Sequence, residues 1–187
     1  MRIWSLLSVL TVTLVATSAG AQESEAARVP IRYRTYISIN PLGIPFDLFS
    51  AEVESGIAQG MTLGASASHI DVDDTRYSSA DLKFRYYPSE VVLRGISVGA
   101  SVGILRYSDI RGSRLLGDGN AEDVRESLDT PTFGVILDYN WMLGAQRRFV
   151  VGTGVGAKRI LASSEDRERV GLDRAQFTGR FTIGIAF

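Results

Sequence analysis

The chain has 187 residues, 45% of them hydrophobic, a formal net charge of -1, 19 glycines and no cysteine. So even a charge balance argues against a nucleic-acid backbone as partner, which takes an excess of Lys and Arg. Without cysteine no disulfide holds the fold together, which bears on cohesion and not on export.

Residues 1–21 read as a cleaved signal peptide: the positive start MR, the apolar run IWSLLSVLTVTLVA, and small residues at Ala19 and Ala21. The alternative, a membrane-anchoring helix, is disfavoured because the run is short for a span and no stop-transfer charges follow. Residues 22–30, QESEAARVP, read as a flexible leader, and 31–187 as one domain. From there, alternating segments follow one another. IRYRTYISIN is the first, closed by the turn chemistry of NPLGIP. FSAEVESGI, MTLGASASHI, SADLKFRYYP and ISVGASVGIL follow, then a polar stretch without periodicity at 108–130. TFGVILDYNW and FVVGTGVGAK resume the pattern, a second polar stretch intervenes, and QFTGRFTIGIAF runs to the terminal atom. No segment shows helical periodicity.

Eight alternating strands of about ten residues predict an all-β, antiparallel, up-and-down barrel. Alternation alone leaves open which face meets water. A lipocalin-like barrel is apolar inside, and a transmembrane barrel is apolar outside. Three features favour the transmembrane form. With the N-terminus in the periplasm, the short turns fall on one side and the two long polar connections on the other. Tyr33, Tyr86, Tyr139, Trp141, Phe149 and Phe187 then form an aromatic girdle at the periplasmic ends of the apolar faces. The charges concentrate on the opposite faces: Arg32, Arg34, Glu52, Glu54, Asp81, Lys83, Arg85, Asp138, Lys158 and Arg180. We expect these ten to fill the lumen as an ion-pair network, with Arg34 near Glu52 and Arg32 near Glu54.

The pattern resembles the small eight-stranded outer-membrane barrels of Gram-negative bacteria, the class of OmpX and the OmpA transmembrane domain. The resemblance implies an outer-membrane location, contact with outer-membrane lipid and lipopolysaccharide, and insertion by the barrel-assembly machinery. It also implies that Ile183, Ile185 and Phe187 are the assembly signal, although Thr182 stands where the family often has glycine. No cofactor, metal, catalytic residue or nucleic acid is expected, and a monomer is. GTGVGAK imitates a phosphate-binding loop, but its glycines keep strand period and read as lumen packing. His69, the lone histidine, has no serine two residues away on its own face and reads as polar rim surface. The expected role is structural, or surface interaction through the extracellular loops. A small pore, a lipid A-modifying enzyme and a soluble lipocalin-like barrel are the alternatives.

Overall fold

The computed structural model describes residues 33–72, 75–115 and 121–187, with backbone alone for Phe46, Val72, 110–115 and 121–125. The expected signal peptide, the leader and Arg32 lie outside the described residues. Eight antiparallel strands close on themselves in sequence order: β1 (Thr35–Ile39), β2 (Leu48–Ala58), β3 (Met61–Val72), β4 (Thr75–Tyr86), β5 (Gly95–Leu115), β6 (Ala121–Leu143), β7 (Phe149–Ile160) and β8 (Ala175–Ala186). The barrel closes where the final residue meets the first strand. Phe187 N–H donates to Thr35 O at 2.8 Å, and Thr35 N–H donates back to Phe187 O at 3.2 Å. We call this end the terminal rim and the opposite end the far rim.

The alternation sorts two chemistries. Leu82, Val98 and Leu137 point outward and are 56%, 45% and 45% exposed, whereas Arg85 points inward and is 1% exposed. The outward face of β5 is apolar from Ile96 to Ile104 and meets its first charge at Arg106, which pairs with Asp129 of β6 at 2.6 Å. Asp71 and Arg76 form the matching outward pair on β3 and β4, 2.8 Å apart. Among the described residues, the one Asp, Glu, Lys or Arg that faces out between these pairs and the terminal rim is Arg159, near the far end of β7 opposite Phe133. At ~3.3 Å per residue and a tilt of about 40°, this belt is roughly 20–30 Å tall.

Two connections differ from the sequence expectation. The stretch 108–130, expected to be irregular, continues the ladder: β5 and β6 remain paired from Gly95↔Asn140 to Leu115↔Ala121, with one register shift between Ile110 and Gly112. Beyond the belt both faces of a hairpin can meet water, so nothing imposes an apolar alternation. The β7–β8 connection contains a helix, α1 (Ser164–Val170). Ser163 Oγ accepts from Asp166 N–H at 3.0 Å, and Gly171 ends the helix with φ of 70°. Seven residues are too few to show a helical period, which is why the pattern gave no sign of it.

Both ends carry apolar closures. At the terminal rim the β4–β5 connection turns inward. Val92 and Leu93 pack there with Tyr36, Val150 and Ala186. Leu93 holds a left-handed φ of 64° to do so and is fully buried. At the far rim Val170 of α1 and Leu172 pack on Leu105, Leu128 and Ile160. Leu93→Ala should lower unfolding stability by about 2–4 kcal/mol, because truncating a fully buried leucine leaves a cavity. Chemical denaturation of the refolded chain measures this, and an unchanged midpoint would mean that the turn does not close the rim.

Candidate functional site

The inward faces of β2, β4, β6 and β8 bring most of the charged residues together. Arg85 is the hub. Its Nε donates to Asp138 Oδ2 at 2.7 Å, one terminal nitrogen to Glu54 Oε2 at 2.5 Å, and the other lies 3.1 Å from Glu52 Oε1. Glu52 also accepts from Lys83 Nζ at 2.5 Å and from Arg180 at 2.9 Å. Higher in the lumen, Lys158 Nζ donates to Asp81 Oδ2 at 2.6 Å. Four carboxylates and four cations therefore share the interior, and their formal charges cancel.

Three hydroxyls and an amide complete the floor, and the sequence reading did not include them in the network. Tyr36 OH donates to Glu52 at 2.5 Å and also contacts Arg180. Tyr87 OH donates to Glu54 at 2.8 Å, and Thr62 Oγ1 donates to the same oxygen at 2.6 Å. Asn140 bridges Tyr87 and Arg180 at 3.0 and 3.1 Å. Strand parity puts both tyrosines on the polar face. A tyrosine there needs a partner for its hydroxyl, which was the available signal.

Arg34 is a correction. It does not meet Glu52. The observed register pairs Tyr36 with Glu54 and Ser38 with Glu52, four residues out from the expected pairing. Arg34 lies before β1 at the terminal rim, exposed, and donates weakly to Ala58 O at 3.4 Å. Tyr33 is a second correction. It also precedes β1 and packs half-buried against the rim closure, with the Arg148 guanidinium 5.3 Å from its ring centroid. The other five aromatics, Tyr86, Tyr139, Trp141, Phe149 and Phe187, face outward at the terminal rim. Tyr139 and Trp141 touch with ring centroids 4.6 Å apart. Ile183 and Ile185 face outward beside Phe187.

The glycines of GTGVGAK point into the lumen, where a side chain would collide. A Cβ at Gly154 would meet the Asp138 carboxylate, and one at Gly152 would meet Arg180 and Asn140. β7 thus lacks side chains where the ion cluster needs room. His69 faces outward and its Nδ1 lies 2.8 Å from Ser78 Oγ, its direct partner on β4. The sequence reading missed this serine because it lies across the ladder. The next carboxylate on that face, Asp71, is engaged by Arg76. Among the described residues, no three His, Cys, Asp or Glu side chains converge as a metal site.

Above the floor lies a cavity of about 700 Å³, lined by Ser and Thr hydroxyls together with aromatic and aliphatic groups and bounded below by Glu52, Arg85, Asp138 and Arg180. Among solved structures, the N-terminal β-barrel domain of Pseudomonas aeruginosa OprF is similar, with 14% identity, a TM-score of 0.47, and coverage of 83% of this chain and 98% of that one. No family model and no curated protein matches the chain. The fold is read from the chain's own strand pairing.

Arg85→Met should destabilise the barrel by about 3–5 kcal/mol, since it leaves three buried carboxylates short of their shared cation. Arg106→Met, which breaks the fully exposed outward pair, should leave the denaturation midpoint within error. Equal effects from the two substitutions would remove the hub role given to Arg85.

Proposed function

We propose that this chain is an integral outer-membrane β-barrel, made as a precursor with a cleaved signal peptide. Its role is structural or surface interaction through the segments beyond the far rim. The observation that carries the reading is the split between the faces: a complete apolar belt outside and eight mutually paired charges inside. An Arg or Lys facing lipid near the midplane costs roughly 2–4 kcal/mol, and the described belt presents none there, Arg159 lying at its far edge. In water, the same belt would expose an apolar ring around the whole circumference. Soluble monomers rarely expose more than a few hundred Å² in one patch.

In this reading the terminal rim is periplasmic, with its outward aromatics at the interface. The β5–β6 hairpin and α1 then project from the cell surface. Lipid and lipopolysaccharide surround the belt, and the assembly machinery engages the outward Ile183, Ile185 and Phe187. The charged floor and the Leu93 closure support a lumen that does not conduct, against the pore alternative. The chain is a monomer with no cofactor.

A second reading, hydrolysis of a membrane lipid at the far rim, rests on the His69–Ser78 pair. A serine nucleophile needs a base that a third group orients, and Asp71 is committed to Arg76. We therefore favour the non-enzymatic reading.

Two experiments test these statements. The unheated chain should need detergent to stay in solution and should migrate differently on a gel from the boiled chain. Solubility without detergent, with no such shift, would transfer the assignment to a soluble barrel. Expression of the chain in a Gram-negative host should leave the masses of its lipid A unchanged. A mass change abolished by His69→Ala would instead establish the hydrolytic reading.

A further inference from the structure

The barrel wall is incomplete on one side. β8 has 12 residues but β1 has five, and the two pair only from Tyr36↔Ala186 to Ile39↔Ile183. Pro41 ends β1, because it has no N–H to give to a ladder. The chain then turns through Gly43 and a 3-10 turn (Ile44–Phe46) into β2. Odd-numbered residues of β8 turn their N–H and C=O groups toward β1, as Phe187 shows by bonding with Thr35. Phe181, Gly179 and Phe177 continue that series past the end of β1, and no described residue bonds to them there.

The cavity runs along this edge: Thr178 and Arg180 of β8 line it, and so do Phe177, Gly179 and Phe181, whose backbone faces the gap. Asn40 and Leu48 form the opposite shore. The outside of this window is greasy: Phe177 is 96% exposed, and Leu42 and Ile44 stand exposed across from it.

Inside, the hydroxyls of Ser50, Ser66, Ser68 and Thr178 line the cavity among the paired charges, beside a strand edge offering both N–H and C=O. The lumen charges already cancel, so a headgroup bearing net charge would find no counter-ion.

We propose that the cavity binds the headgroup of a membrane amphiphile that enters sideways between β8 and the Asn40–Leu48 turn. The headgroup is neutral and rich in hydroxyls, which donate and accept equally and so match both the lining hydroxyls and the free edge. Its alkyl tail stays outside along Phe177 and Phe181. The inference rests on the membrane reading above.

The test uses the refolded chain in phosphatidylcholine nanodiscs, with n-octyl glucoside as probe and amide NMR as readout. Signals of Thr178, Gly179 and Thr182 should shift and saturate at one equivalent, while those of Val98 and Val135 on the far wall should not. Thr178→Trp, which fills the window from inside, should weaken binding by about tenfold or more. Ser68→Trp, on the opposite wall of the cavity, serves the same purpose if the first variant fails to refold. Octyl sulfate should bind at least about tenfold more weakly, and glucose alone should not saturate in the same range. Non-saturating shifts, or saturation unaffected by the tryptophan variants, would overturn the site. Glucose binding as tightly as octyl glucoside would overturn side entry, and octyl sulfate binding equally would overturn the headgroup assignment. A chain soluble without detergent would remove the membrane reading itself, whereas a detergent-requiring barrel without a saturable site would remove only this inference.

Discussion

A guanidinium cannot shed its proton, so burying Arg85 obliges the rest of the lumen to answer its charge. Three carboxylates do so, two from β2 and one from β6, and the two on β2 are tied to further donors from β1, β3, β4, β8 and Tyr87. The cluster needs space, and β7 gives it by carrying glycine at 152, 154 and 156. The composition of one strand is thus set by side chains from its neighbours. Eight strands leave an interior just wide enough for side chains, so large charged groups on some strands require bare backbone on another.

The two ends are closed by a different force. Where the ion cluster stops, apolar groups take over: Leu93 and Val92 at the terminal rim, Val170 and Leu172 at the far rim. Each comes from a connection and not from a strand. The wall decides what faces lipid or lumen by parity, whereas the connections fold back to cover what parity leaves open. Between the floor and the far-rim closure remains a cavity that neither ion pairs nor apolar contacts fill.

The strand faces were legible because period-2 alternation is local: each residue's side follows from its neighbours'. Glu52, Glu54, Asp81, Lys83, Arg85, Asp138, Lys158 and Arg180 all lie on the face that parity gave them. Which charge meets which was not legible, because register depends on turn geometry. Arg34 was expected opposite Glu52, but the pairing that closes the Pro41–Asp47 turn puts Ser38 there. The His69–Ser78 contact was hidden for the same reason, being a neighbour across the ladder and not along the chain. Leu93 escaped notice because its segment looked like solvent-exposed turn; three consecutive apolar residues, Val91, Val92 and Leu93, were the sign that it turns inward.

The seam between the first and last strands shows how these forces divide their work. β4 and β5 pair through twelve rungs, from Thr75↔Asp109 to Tyr86↔Val98, whereas β1 and β8 share four. A ladder that short leaves the barrel weakest where it closes, and the chain reinforces it with side chains. Arg180 of β8 reaches across to Glu52 of β2 at 2.9 Å and to the Tyr36 hydroxyl of β1. The same carboxylate is bound by Arg85 and Lys83 from β4, so the clamp on the seam is anchored to the middle of the opposite wall. The ion cluster therefore does two jobs with one set of contacts: it blocks the lumen and it holds the barrel shut below the point where β1 ends. Above that point neither backbone nor charge spans the gap, which is why the opening lies over the cluster and not through it.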